Sequence, residues 1–506
     1  MNIDLVDQDH YATFGPPHEQ MRWLREHAPV YWHEGEPGFW AVTRHEDVVH
    51  VSRHSDLFSS ARRLALFNEM PEEQRELQRM MMLNQDPPEH TRRRSLVNRG
   101  FTPRTIRALE QHIRDICDDL LDQCSGEGDF VTDLAAPLPL YVICELLGAP
   151  VADRDKIFAW SNRMIGAQDP DYAASPEEGG AAAMEVYAYA SELAAQRRAA
   201  PRDDIVTKLL QSDENGESLT ENEFELFVLL LVVAGNETTR NAASGGMLTL
   251  FEHPDQWDRL VADPSLAATA ADEIVRWVSP VNLFRRTATA DLTLGGQQVK
   301  ADDKVVVFYS SANRDASVFS DPEVFDIGRS PNPHIGFGGG GAHFCLGNHL
   351  AKLELRVLFE QLARRFPRMR QTGEAPPVAL ELHQRHQDPP RHPRLNPPSG
   401  RPLPRVRPGP SSRQHPPSSQ RERRLRPAFE GPPARPEPIH PPERSEPDAP
   451  PKGAETEAPP APPQGAPIEG FRWSSNRWTA QGTKRGGTPG GLTDRFLMKS
   501  VSAGGR

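Results

Sequence analysis

The sequence predicts a mainly α-helical fold with small β-sheets, followed by a disordered C-terminal tail. Three observations lead there. Apolar residues recur at helical spacing over long stretches, above all in Thr220–Phe251. Strand-like runs are few and short. The composition also breaks near residue 370, with 21 of the 50 prolines in the first 370 residues and 29 in the last 136.

Helical patterns run in order through Glu19–His27, Pro103–Cys124, Leu138–Leu147, Asp153–Met164, Ala181–Ala199, Thr220–Phe251, Pro254–Val261, Leu266–Val278 and Leu346–Arg365. In the last of these, Leu350, Leu353, Leu355, Leu358 and Phe359 mark one face. Pro150 and Pro201 punctuate the series. The strand-like runs are Val30–Trp32, Phe39–Thr43, Asp291–Leu294 and Lys304–Tyr309. No internal repeat is evident. The opening residues hold no apolar run long enough for a membrane span or a signal peptide.

The 506 residues carry a formal charge of −12. The tail holds 21 Lys and Arg against 13 Asp and Glu, or +8, which leaves −20 on residues 1–370. So acidic a body argues against a nucleic-acid partner. Residues 371–506 show no sustained apolar period and cannot bury enough surface to offset chain entropy, so disorder is expected there. The organisation expected is a folded domain over 1–370 and a Pro/Arg-rich tail over 371–506. Of the four cysteines, Cys117, Cys124 and Cys144 sit in helical, partly apolar contexts and read as inert core residues in a reducing cytoplasm.

The fourth cysteine stands apart. Phe337-Gly338-Gly339-Gly340-Gly341-Ala342-His343-Phe344-Cys345-Leu346-Gly347 puts one thiol on a glycine-rich turn before a helical pattern. Helix N-termini stabilise thiolates, and glycines let backbone approach a flat ligand. A lone thiolate makes neither a zinc nor an iron–sulfur site, but it can hold a haem iron from one side. Upstream, Ala234-Gly235-Asn236-Glu237-Thr238-Thr239 interrupts an apolar helix with small residues and an acid–hydroxyl pair suited to handling protons or water. Further on, Glu273 and Arg276 stand at i,i+3 beside core-like sequence.

In combination these motifs resemble the cytochrome P450 family of haem-thiolate monooxygenases, over about Tyr11 to Pro367. The resemblance implies the fold of that family and haem b as cofactor. It implies Cys345 as the metal ligand, Glu237 and Thr238 as the catalytic acid–alcohol pair, and Glu273, Arg276 and Arg329 as a structural ion-pair group. His90, Arg94, Arg286 and His343 match contacts to the haem propionates, and Ala234, Phe337, Gly338, Gly341 and Gly347 match positions beside the cofactor. Gly341, His343 and Cys345 keep the family spacing, but Phe337 lies one residue further upstream because the loop has an extra glycine. Bacterial members acting on steroid side chains and methyl-branched lipids are similar in this respect. They also resemble this chain in Trp160-Ser161-Asn162, Asp203-Asp204-Ile205-Val206-Thr207, His253-Pro254-Asp255-Gln256-Trp257 and Phe308-Tyr309-Ser310-Ser311-Ala312-Asn313.

The expected activity is therefore hydroxylation, with O2, of an unactivated C–H bond in an apolar substrate such as a sterol side chain or methyl-branched lipid. Val233, Val281, Leu283 and Phe284 are the candidate pocket residues. With no flavin or nicotinamide fingerprint in the chain, electrons come from a ferredoxin and an NAD(P)H-dependent ferredoxin reductase, steered by Arg92, Arg93 and Lys352. The alternatives are a non-catalytic or impaired haem-binding protein and a terpenoid-type monooxygenase. Family members also end in a β-hairpin after the position of Phe366-Pro367, and it is missing here. Codons exist for Val378–Arg391 that, read one nucleotide later, spell Leu-Arg-Ser-Asn-Phe-Ile-Asn-Gly-Ile-Lys-Thr-Leu-Pro-Val, which looks like that hairpin. The expectation is a frameshift between about Gly373 and Val378, with the tail translated out of frame.

Overall fold

The computed structural model describes residues 3–372, apart from 8, 9, 12, 13, 36, 37, 70, 71, 125–127, 166–174, 203 and 213–215. The expected disordered tail and frameshift fall outside the described residues.

Helices dominate, as the periodicity predicts. The organising element is Glu221–Glu252, a helix of 32 residues. It starts in a capping box: Thr220 accepts from the Glu223 N–H, and the Glu223 carboxylate accepts from the Thr220 N–H. Around it pack Pro137–Leu146, Pro176–Ala199, Ala267–Val278 and Asn348–Arg365. Their apolar faces form one large core that includes Phe224, Met247, Ile274, Leu355 and Phe359. Gly246 lets two of these helices touch, because a Cβ there would lie 2.7 Å from Ile274.

The predicted Pro103–Cys124 helix is in fact two, Pro103–Ala108 and Glu110–Gln123. The 181–199 helix begins at Pro176, because Ser175 and Glu178 form a second capping box. Helices His45–Arg53 and Ile205–Leu210 were not expected.

One five-stranded sheet has the order β1-β2-β7-β4-β3, with β1 Val30–His33, β2 Phe39–Val42, β3 Phe58–Ser59, β4 Leu283–Ala288 and β7 Lys304–Phe308. A separate hairpin pairs β5 Leu292–Leu294 with β6 Gln297–Val299. β4 was not predicted as a strand: Arg285 and Arg286 break its apolar run, yet β7 pairs with it along its length. Alternation splits its side chains. Leu283 joins Met21, Leu24, Phe39, Val306 and Phe308 on one face, while Phe284 packs with the other core, beside Val305, Val307 and Tyr309. Arg286, two residues from Phe284, projects from that second face.

Candidate functional site

The Cys345 loop rests on two supports. Gly338, Gly340 and Gly341 have φ of 98°, 91° and 74°, a region that favours glycine. A Cβ on Gly341 would stand 2.3 Å from the Ser52 carbonyl oxygen, and one on Gly339 would stand 2.7 Å from Ser52 Oγ. The lengthened glycine run therefore lies flat on the helix His45–Arg53. Inside the loop the Cys345 N–H donates to the Phe337 carbonyl at 2.9 Å. The thiol is half-buried, just before the helix Asn348–Arg365. Burial pushes its pKa up, and the N–H groups of Gly347 and Asn348 and the Arg94 cation pull against that without overcoming it. The helix N-terminus thus lowers the thiol pKa but is outweighed by burial; a metal ion would itself displace the thiol proton.

Behind the loop stands a buried ion cluster. Arg276 donates through Nε and Nη2 to the two Glu273 oxygens, both at 2.8 Å, and both side chains are fully buried. Arg276 Nη1 also reaches the carbonyls of Asn313 and Pro322 at 2.9 Å. Glu273 further accepts from Arg329 Nε at 3.1 Å, Asn332 Nδ2 at 3.1 Å and the Asp326 N–H at 2.9 Å. Glu273, Arg276 and Arg329 thus meet in one cluster. Asn332 was missed, because an isolated Asn in a proline-rich loop gives no pattern. Asn313 was also missed as a strut: its Oδ1 accepts from the Ile335 N–H at 2.8 Å and its Nδ2 donates to Ser279 Oγ at 2.9 Å.

A second group gathers His90, Arg94, Arg286 and His343. The His90 and His343 rings lie 4.2 Å apart. Burial first, then Arg94 and Arg286, depress His90 to about 4, with Asp86 opposing. Burial, Arg286 and His90 hold His343 well below the usual imidazole range. His90 Nδ1 and His343 Nε2 are buried with no hydrogen-bond partner. Arg94 donates to the Phe344 carbonyl at 2.6 Å, and buried Arg286 donates to the Arg285 carbonyl at 2.7 Å. Two guanidinium groups and two unsatisfied imidazoles with so little opposing charge suit a dianionic ligand.

The long helix completes the site. Ala234 is exposed and Val233 and Thr238 are half-buried, in a helix otherwise largely packed. Thr238 Oγ1 donates to the Ala234 carbonyl at 2.8 Å. Glu237 is buried, at 4% exposure, so the acid and the alcohol leave the helix in different directions. Gly235 does not open space for a ligand: a Cβ there would lie 3.0 Å from Ile143, so this glycine seats one helix on another. A Cβ on Gly347, by contrast, would meet nothing within 4 Å.

Two expectations need correction. Leu283 lies on the sheet face opposite Phe284, away from the face that carries Phe284 and Arg286. Arg92 and Arg93 are not free surface cations: both pair with Glu223 at the start of the long helix. Lys352 is likewise paired, with Asp272 at 2.6 Å.

A thiol on a glycine loop, an anion receptor of His and Arg, and an open helix face form a set that a haem fits. The comparisons agree. The Cytochrome P450 family model matches residues 180–391. A "Steroid C26-monooxygenase" of Rhodococcus jostii is 46% identical over 385 residues, 74% of this chain and 80% of that protein. A "Methyl-branched lipid omega-hydroxylase" of Mycobacterium tuberculosis is 45% identical over 365 residues, 69% of this chain and 85% of that protein. A Mycobacterium marinum cytochrome P450 solved with pseudoionone aligns with TM-score 0.69 and 38% identity, over 76% of this chain and 97% of that one. The chain belongs to the cytochrome P450 family. It is a monooxygenase, an oxidoreductase whose cofactor is haem b. Among the described residues no helix is long and apolar enough to cross a membrane.

Proposed function

We propose that this enzyme hydroxylates a terminal, unactivated C–H bond of a long apolar substrate, a sterol side chain or a methyl-branched lipid, in the cytoplasm. The observation that carries the reading is the identity of about 45% to proteins bearing those two activities, over more than four fifths of the methyl-branched lipid hydroxylase's length. Cys345 would hold the iron, with His90, Arg94, Arg286 and His343 on the propionates. Bound there, the haem supplies the activation of O2. The chain contributes positioning and protons. Val233, Val281 and Phe284 would offer an apolar wall, and the small side chain of Ala234 would leave room for the cofactor. Thr238 would hold a hydroxyl proton at Oγ1, and the buried Glu237 carboxyl would be the acid of the pair.

Electrons come from a ferredoxin and an NAD(P)H-dependent reductase. With Arg92, Arg93 and Lys352 committed to carboxylates, the docking cation we favour is Arg53, exposed and lying against Gly340 of the thiolate loop. We also propose that residues from about 373 onward are translated out of frame; the gene's nucleotide sequence between Gly373 and Arg391 decides this.

The test is turnover of the haem-loaded chain with a surrogate ferredoxin system. A sterol with an intact side chain, a methyl-branched lipid and a linear terpenoid would be offered in parallel. Terminal hydroxylation of the first or second is expected, and peroxide alone should support little. Oxidation of the terpenoid only would overturn the substrate class. No product at all, with the thiolate-type carbon monoxide spectrum intact, would favour a non-catalytic haem protein. Thr238→Ala should uncouple NAD(P)H consumption from product; unchanged coupling would remove Thr238 from the proton path.

A further inference from the structure

We infer that Asp272, His334 and Lys352 form a clamp that positions the thiolate loop, acting on Cys345 through Phe337. Asp272 directly precedes Glu273 on the helix Ala267–Val278, yet it serves different partners. Its Oδ1 accepts from His334 Nε2 at 3.0 Å and from Lys352 Nζ at 2.6 Å. His334 lies upstream of Cys345 on the loop, and Lys352 lies downstream on the helix Asn348–Arg365. One carboxylate oxygen therefore ties together both arms of the chain that flank the ligand.

The hydrogen-bond pattern sets the tautomer. His334 Nδ1 accepts from the Gly336 N–H at 3.3 Å, so Nε2 carries the proton it donates to Asp272. The His334 side chain is only 3% exposed. Burial alone would raise the Asp272 pKa, but the His334 and Lys352 hydrogen bonds outweigh it and hold the carboxyl below the usual range. The loop is also pressed onto the same helix: a Cβ on Gly336 would lie 2.6 Å from Val275 Cγ1 and 3.0 Å from the Val275 carbonyl oxygen.

Phe337 connects the clamp to the thiol. Its ring sits 5.7 Å from the His334 ring and 5.5 Å from Lys352 Nζ, flanked by two of the clamp residues. Its carbonyl accepts the Cys345 N–H at 2.9 Å. Releasing either arm frees Phe337 and slackens that bond, and a loosely held thiolate is more readily protonated or displaced. These are positioning residues: none needs to touch the cofactor. Groups of this kind orient first ligands, and their loss changes metal affinity or activity by roughly 10–100-fold.

The experiment uses the full, haem-loaded chain and no substrate, so it is independent of the substrate assignment above. Two quantities are read: the midpoint potential, and the rate at which the reduced carbon monoxide complex changes from its thiolate form to the neutral-ligand form. His334→Ala and Asp272→Ala should each accelerate that change by about 10-fold. The double variant should be little worse than either single one, because both break the same connection. His334→Gln, whose amide can still donate to Asp272, should approach the parent. A merely structural role would lower the melting temperature without moving spectrum or potential. If an alanine variant does not fold, Asp272→Asn takes its place and should fall between the parent and the expected alanine effect. Parent-like rates and potential in His334→Ala and Asp272→Ala (or, in its place, Asp272→Asn), or strictly additive effects in the double variant, would overturn the clamp.

Discussion

Two buried polar clusters beside the Cys345 loop are built on opposite principles. Behind the thiolate loop, Glu273, Arg276 and Arg329 satisfy one another and the surrounding carbonyls, with Glu273 and Arg276 fully buried. Around His90 and His343, buried ring nitrogens have no partner in the chain, and cations face little opposing charge. In the first region the charged groups are met by protein partners, and removing one of them would leave a buried charge unpaired. The second carries unmet electrostatic demand, which a dianionic cofactor would satisfy. Polar groups are thus left unmet on one side and paired on the other, so losing a partner is costly only on the paired side.

Substitutions can break this contrast. The largest effect on function is expected from Cys345→Ser, which should abolish the red-shifted carbon monoxide band and hydroxylation while leaving helical content unchanged by circular dichroism. A persistent thiolate spectrum would assign the iron to another sulfur. Arg276→Ala comes next. Removing one partner of a buried pair costs about 3–5 kcal/mol, against a total of roughly 5–15 kcal/mol. Urea unfolding should show a collapse of stability with or without haem.

Arg286→Ala should have the opposite character. Haem transfer to a stronger acceptor should be about 10-fold faster. The haem-free chain, relieved of a buried and weakly opposed cation, should unfold at the same or higher urea concentration. A destabilisation as large as that of Arg276→Ala would erase the distinction between the two regions. The smallest effect concerns pH. The native pKa of His90 lies at about 4, below the unfolded value of about 6.5. Between these values the unfolded chain binds the extra proton, so the haem-free chain should lose stability as pH falls from 6.5 toward 4. His90→Gln should flatten that slope, as read by thermal melts across the window.

Much of the site is legible in the sequence because its parts are local. The Cys345 loop, the Ala234–Thr239 turn and the Glu273/Arg276 pair each occupy a few consecutive residues, and helical spacing places their side chains. Arg92 and Arg93 show the limit of local reading. Their helix is consistent with an exposed basic face, but Glu223, 131 positions from Arg92, claims both. Leu283 shows the same limit in a strand: it reads like its neighbour Phe284 until β7 fixes which face each side chain takes.

The sequence by itself therefore determined the helical architecture, the singular thiol on its glycine loop and the motifs flanking it. These depend on periodicity and on residue types that few other chemistries need. Tertiary structure alone decided that Gly235 seats a helix, that the extra loop glycine lies on His45–Arg53, and that Asp272 joins His334 to Lys352. Each of these depends on a contact between segments far apart in the chain. Close packing and pairing of charges select such partners, and no local pattern encodes them.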